Sequence, residues 1–191
     1  NNRIPVEQVP GLYYKENGEY KNTMEGVKPV VSGRGWNYFH RKDSPSPQHL
    51  DELPLPAWHL FPMEKYWNSE VRVGGGDIVS EKYAVMISSR GCVWSCYFCA
   101  ASLMAGHKAY RMRSIDDIVE EIHWLIDTFR VQEIQFLDDN FFVNKSRVKS
   151  LLKILSEQFP DTLFSVPAGT EVNKLDKEMI DLMAGANFHK I

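Results

Sequence analysis

The chain predicts an α/β fold in which helices cover a parallel sheet, and two observations carry that expectation. From residue 82 onward, short apolar runs alternate with amphipathic segments of helical period in the order β-α-β-α-β-α-(β). Strands separated by helices in this way pair in parallel through right-handed crossovers. The chemistry-bearing stretches, Gly91 to Cys99, Asp138-Asp139 and Ala168-Gly169-Thr170, also all follow predicted strands. An open doubly wound sheet and a β/α barrel both fit this pattern, and both build their sites at the C-terminal ends of the strands.

The first 80 residues have a different texture, with eight of the ten prolines lying before residue 63. Leu12 to Glu16 and Glu19 to Lys21 flank Asn17-Gly18. That dipeptide suits a type I′ turn, whose two central residues need positive φ, so a small hairpin is expected. Gly33, Gly35, Pro45 and Pro47 mark an irregular loop. Between Leu50 and Trp58, Pro54 and Pro56 forbid a helix interior and leave an extended segment that lays Leu53, Leu55 and Trp58 against a folded body. Gly74-Gly75-Gly76 lacks the lysine and hydroxyl residue of a phosphate loop and reads as a flexible turn.

Tyr83 to Ser88 is an apolar run expected to form a buried parallel strand. Ser114 opens the clearest helix, with Asp117 in the N3 place of a capping arrangement. Ile115, Ile118, Val119, Ile122, Leu125, Ile126 and Phe129 recur on one face of it. Glu133 to Leu137 is the second strand. Asn144 caps a second helix whose core face is Val148, Leu151, Leu152, Leu155 and Phe159, with Pro160 as its stop. Leu163 to Val166 is the third strand, and Leu175 to Met183 the third helix, ended by Gly185. Phe188 to Ile191 reads as the opening of a fourth strand.

All three cysteines of the chain, Cys92, Cys96 and Cys99, lie in one C-x3-C-x2-C segment. Thiolates are soft ligands suited to iron–sulfur clusters, zinc or copper(I). Three of them can hold three corners of a cubane cluster and leave one iron open, whereas electron-transfer clusters usually have four cysteines. Three alternatives stand beside that reading. The spacing places the cysteines on one helix face, as core residues. A structural zinc site would need a fourth ligand, for which His107 is the nearest candidate. A ferredoxin-like carrier would need a fourth cysteine. The adjacent carboxylates Asp138 and Asp139 suit a turn, a magnesium site or a cationic ligand. His123, on the first helix, reads as a surface or boundary residue.

The segment Gly91-Cys92-Val93-Trp94-Ser95-Cys96-Tyr97-Phe98-Cys99 resembles the cluster motif of the radical S-adenosylmethionine (radical SAM) enzymes, with Phe98 as the aromatic before the third cysteine. The resemblance implies a [4Fe–4S] cluster on Cys92, Cys96 and Cys99, with SAM chelating the open iron through its amino and carboxylate groups. It selects a partial β/α barrel. It also implies reductive cleavage of SAM to a 5′-deoxyadenosyl radical, with an electron donor such as flavodoxin or ferredoxin as partner. The end of the second strand, where the family often carries Gly-Gly-Glu, reads Leu137-Asp138-Asp139-Asn140 here. By resemblance, Asp138 or Asp139 contacts the SAM ammonium. Arg111 or Arg113 is a candidate partner for its carboxylate.

"PGLYYKENGEY", followed by "LDELPLPAW" and Tyr66, is similar to the connector between a cobalamin-binding domain and the barrel in the B12-dependent branch of the family. That likeness implies cobalamin in a preceding domain and a net methyl transfer or rearrangement. The expected organisation is therefore a connector over residues 1–80 and a radical SAM core over 81–191, broken off at the start of the fourth strand. The opening Asn1-Asn2 and the ending Phe188 to Ile191 read as a piece of a longer protein.

Composition excludes little but is consistent. With 43% apolar residues the chain can bury a sizeable core, and a formal net charge of −3 gives no sign of a nucleic-acid or anionic-membrane surface. No apolar run approaches the roughly eighteen residues of a membrane span. Three clustered cysteines make no disulfide framework and favour a reducing compartment, with the cytoplasm as the expectation.

Overall fold

The computed structural model describes residues 13–22, 49–69, 78–94, 96–99, 110–168 and 170–191. The expected loop with Gly33, Gly35, Pro45 and Pro47, the turn at Gly74-Gly75-Gly76, His107 and Gly169 lie outside the described residues. The chain divides into two compact units, Asn1–Gln48 and His49–Ile191.

The first unit contains the expected hairpin. Strands Tyr13–Glu16 (β1) and Glu19–Asn22 (β2) pair antiparallel, from Tyr13 opposite Asn22 to Glu16 opposite Glu19. Asn17 at φ 52° and Gly18 at φ 88° both occupy the left-handed region that the two-residue turn demands.

The second unit opens differently from expectation. In place of a wholly extended segment, one-turn 3-10 helices at Leu50–Glu52 and Trp58–Leu60 and a short helix Met63–Trp67 (α1) bracket the Pro54–Pro56 stretch. Pro62 does not prevent α1, because it stands at the N-cap, where a missing N–H costs nothing. The residues that anchor this segment are Leu50, Trp58, Met63 and Trp67, all buried, while Leu53 stays exposed. Two indole N–H groups fasten it: Trp67 Nε1 donates to the Tyr83 carbonyl and Trp58 Nε1 to Glu121, each at 2.8 Å.

The sheet follows. Strands Tyr83–Met86 (β3), Glu133–Phe136 (β6), Leu163–Ser165 (β7) and Phe188–Lys190 (β8) are all parallel, in the order β3-β6-β7-β8. Between β3 and β6, Ser89–Arg90 (β4) and Arg111–Met112 (β5) form a separate antiparallel ribbon. Among the described residues each sheet strand lies beside its predecessor, without the reversal that defines a doubly wound sheet. The fold is α/β with a singly wound parallel sheet, as in part of a β/α barrel.

The crossovers are the three expected helices, Ile115–Phe129 (α2), Lys145–Gln158 (α3) and Lys177–Gly185 (α4). The Ser114 hydroxyl accepts the Asp117 amide at 3.2 Å and the Asn144 side chain accepts the Arg147 amide at 3.1 Å, so both predicted caps are in place. The third helix starts later than the apolar phase of Leu175 implies, because Asp176 caps it by accepting the Met179 amide at 2.9 Å. Gly185 is its last residue, and the left-handed residue beyond it is Asn187 at φ 54°.

Ile118, Ile122 and Leu125 of α2 and Val148, Leu151, Leu152 and Leu155 of α3 are sealed in one core with Ile134, Phe136 and Phe164 of the strands. The rings of Phe136, Phe164 and Phe188 stack across neighbouring strands, with centroids 6.2 Å and 5.6 Å apart in succession. The alternate residues of the sheet are buried too, but polar. Glu133 accepts the amides of Val79 at 3.0 Å and Ser80 at 3.1 Å, the Gln135 amide at 3.2 Å, and faces His189 Nε2 at 3.1 Å. Among the described residues, no helix is long and apolar enough to cross a membrane.

Candidate metal centre at the strand ends

The ribbon makes the cysteine segment a loop closed at its base. β4 leads into Gly91 and β5 leads out, with Ser89 opposite Met112 and Arg90 opposite Arg111. The Tyr83 to Ser88 strand expected from sequence therefore ends early, at Met86, and the chain turns into the ribbon. Gly91 takes φ 88°, a left-handed conformation that a side chain would strain. Cys92 and Cys99 are half-buried and Cys96 is exposed, all as free thiols, and the Cys99 amide donates to the Cys96 carbonyl at 3.1 Å in a tight turn.

The segment after β6 grips this loop with three consecutive side chains. Asp138, fully buried, accepts from the Ser88 amide at 3.0 Å, the Ser88 hydroxyl at 2.8 Å and the Ser89 hydroxyl. Asp139, exposed, accepts the Gly91 amide at 3.1 Å. Asn140 Nδ2 lies 3.8 Å from Cys92 Sγ and 2.9 Å from Glu171 Oε1. Glu171 also accepts the indole N–H of Trp94, which ties the end of β7 to the cysteine loop.

Burial raises the Asp138 pKa above the ordinary carboxylate value, against the pull of its serine hydrogen bonds and of Arg147. For Glu171, partial burial pushes upward, but hydrogen bonds from Trp94 and Asn140 and the charge of Lys174 outweigh it and lower the pKa. The ribbon is held from behind as well. Arg147 Nη2, on α3, donates to the carbonyls of Ser88 at 3.0 Å and Arg113 at 2.9 Å. Arg113 is tied into the fold: it pairs with Asp117 and with the fully buried Glu121, and donates to the Ile87 carbonyl at 3.1 Å. A buried carboxylate demands such a partner.

Of the predicted site residues, Asp138 and Asp139 are thus brought to the base of the cysteine loop. Phe98 is 78% exposed, with its ring edge-on to that of Tyr97. Among the described residues, no three His, Cys, Asp or Glu side chains group closely enough to hold a single ion. His123 is the exposed boundary residue expected, 3.2 Å from Gln158 Oε1. Glu171 was missed by sequence reasoning, although it follows directly on the Ala168-Gly169-Thr170 strand end. Asn140 was read only as the close of the aspartate segment.

The model of the radical SAM superfamily matches residues 86–191, more than half of the chain. The chain belongs to the radical SAM superfamily. Its cysteine loop and all four sheet strands bar the first residues of β3 lie within the matched stretch. Similar curated proteins include an uncharacterized methyltransferase of Pyrococcus horikoshii, 31% identical over 97% of this chain and 34% of its own length. The cytidylyl-2-hydroxyethylphosphonate methyltransferase of Streptomyces wedmorensis is 32% identical over 100% of this chain and 36% of its own. The chain therefore spans about a third of the length of these curated relatives. Among solved structures, the radical S-adenosylmethionine methyltransferase TsrM of Kitasatospora setae matches 56% of this chain and 20% of its own, with TM-score 0.47 and 19% identity.

Proposed function

We propose that Cys92, Cys96 and Cys99 hold a [4Fe–4S] cluster whose open iron takes SAM, and that the whole protein is a radical SAM methyltransferase. The observation that carries the reading is the three-thiol loop, fixed at the mouth of a parallel sheet inside the stretch that matches the superfamily. The donor set fits the group: three soft ligands on one loop can hold three corners of a cubane cluster and leave one iron open. Ligands of a cluster bind separate irons, so they need not crowd around one point. Bound there, the cluster would supply one electron to SAM, breaking its C5′–S bond to give methionine and a 5′-deoxyadenosyl radical.

The chain's own part is positional. Asp138 fixes the entry to the loop from within the core. Asp139, exposed at the same mouth, is the carboxylate available to the SAM ammonium, to which it would form a charge-assisted hydrogen bond. Phe98 offers an apolar surface beside the third thiol. The methyltransferase names of the relatives support methyl transfer as the outcome. Cobalamin is proposed for the whole protein on the likeness of the connector, residues 1–80, leading into the core at 81–191. An electron donor such as flavodoxin or ferredoxin would be the partner, in the reducing cytoplasm.

The test is anaerobic reconstitution of the full-length protein with iron and sulfide, followed by reduction and EPR with and without SAM. A cubane signal that changes on adding SAM is expected. A cluster indifferent to SAM, or uptake of zinc in place of iron that Cys96→Ala abolishes, would overturn the reading.

A further inference from the structure

We infer that Asn140 is a positioning residue that donates a hydrogen bond to the sulfur of Cys92 and thereby raises the reduction potential of the cluster held there. The inference rests on the proposed cluster and concerns a residue to which that proposal gives no role.

The side-chain amide of Asn140 has two N–H bonds, and two acceptors face its nitrogen: Glu171 Oε1 at 2.9 Å and Cys92 Sγ at 3.8 Å, within reach for a sulfur acceptor. The orientation of an Asn amide is assigned from its surroundings, and here the surroundings decide it. Turning the group over would set its carbonyl oxygen against the Glu171 carboxylate and the Cys92 sulfur, two electron-rich atoms. Glu171 stays ionised, because hydrogen bonds from Trp94 and Asn140 and the charge of Lys174 outweigh the effect of its partial burial. Asn140 itself is buried, and among the described residues the hydrogen bonds of its side chain are both made through its nitrogen. The end of β7 thus aims the donor that the end of β6 carries.

An N–H dipole directed at a ligating sulfur stabilises the extra negative charge that the cluster gains on reduction. Hydrogen bonds to the sulfurs are one of the determinants of cluster potential, and partners outside the ligand set tune a metal in the same way. Cys92 is the ligand so contacted.

The test is a redox titration of the reconstituted full-length protein followed by EPR, comparing wild type with Asn140→Leu and Asn140→Asp. Leucine keeps the branched shape without the donor; aspartate keeps the shape and adds negative charge. Both variants are expected to shift the midpoint potential to more negative values, the aspartate further, as read on the loaded fraction. The iron–sulfur stretching frequencies of wild type should shift in deuterated buffer, and those of the leucine variant should shift less. If wild type takes up no cluster, the functional proposal fails and this one with it. If the cluster forms in all three proteins but potential and frequencies do not change, Asn140 only shapes the loop; the inference is then wrong and the functional proposal stands.

Discussion

Glu133 and Asp138 stand at the two ends of one strand segment, both fully buried, and each binds backbone amides of the chain flanking β3. Glu133 holds the approach to β3 at Val79 and Ser80, and its other partners are Gln135 and His189. Asp138 holds the exit from β3 at Ser88 and Ser89, and that exit runs directly into the cysteine loop. The same chemical device does two jobs, set by the end of the sheet it occupies. At one end it closes the fold; at the other it also aims the ligands.

The sharpest way to break that comparison is to remove each carboxylate. Glu133→Ala and Asp138→Ala each strand several buried donors, and each is expected to cost about 2–4 kcal/mol of stability, measured by denaturant unfolding of the apo-protein. Only Asp138→Ala should also abolish iron uptake in anaerobic reconstitution. Equal iron loading in the two variants would remove the distinction. Gly91→Ala comes next: a side chain at φ 88° should cost about 1 kcal/mol. Iron content should fall more than that small loss explains, because the strained residue is the one before Cys92. Asp139→Ala should change stability by about 1 kcal/mol or less, as its carboxylate is exposed and its hydrogen bond is to a single amide. It should nonetheless weaken the response of the reduced cluster's EPR signal to SAM.

The smallest effect separates Asp138 from Glu171 by sign. The folded-state pKa of Asp138 is raised, so the native state binds the extra proton and stability falls as pH rises from the unfolded aspartate value towards the raised one. Glu171 is lowered, so its contribution is present above the unfolded glutamate value and is lost as pH falls through the folded one. Urea midpoints of the apo-protein across the acid range should therefore flatten in opposite directions in Asp138→Asn and Glu171→Gln.

What was legible in the sequence follows the range of the forces involved. α2 and α3 could be read because a cap and an apolar period lie within one helix, as with Ser114 and Asp117 or Asn144 and Arg147. The hairpin could be read from Asn17-Gly18 alone. The ribbon could not, since two-residue strands have no period to detect, and so the base of the cysteine loop was hidden. Nor could the Arg113, Glu121 and Trp58 network, in which an acid on an apolar helix face finds its partners from two other elements. The three cysteines announced themselves by spacing. Asn140 and Glu171 did not, because only the adjacency of β6 and β7 brings them together.

The order β3-β6-β7-β8 also has a consequence for synthesis. As the nascent chain leaves the ribosome at about 5–20 residues per second, each new strand finds its neighbour already made. Glu133 arrives to meet Tyr83, then Leu163 to meet Glu133, then Phe188 to meet Phe164. No strand has to be inserted between two others that are already paired. The three residues that grip the cysteine loop emerge just after β6, so the thiols can be fixed in place while later strands are still being translated. Glu171 follows with the end of β7, so the hydrogen bonds it accepts from Asn140 and Trp94 form later than the docking of the loop itself.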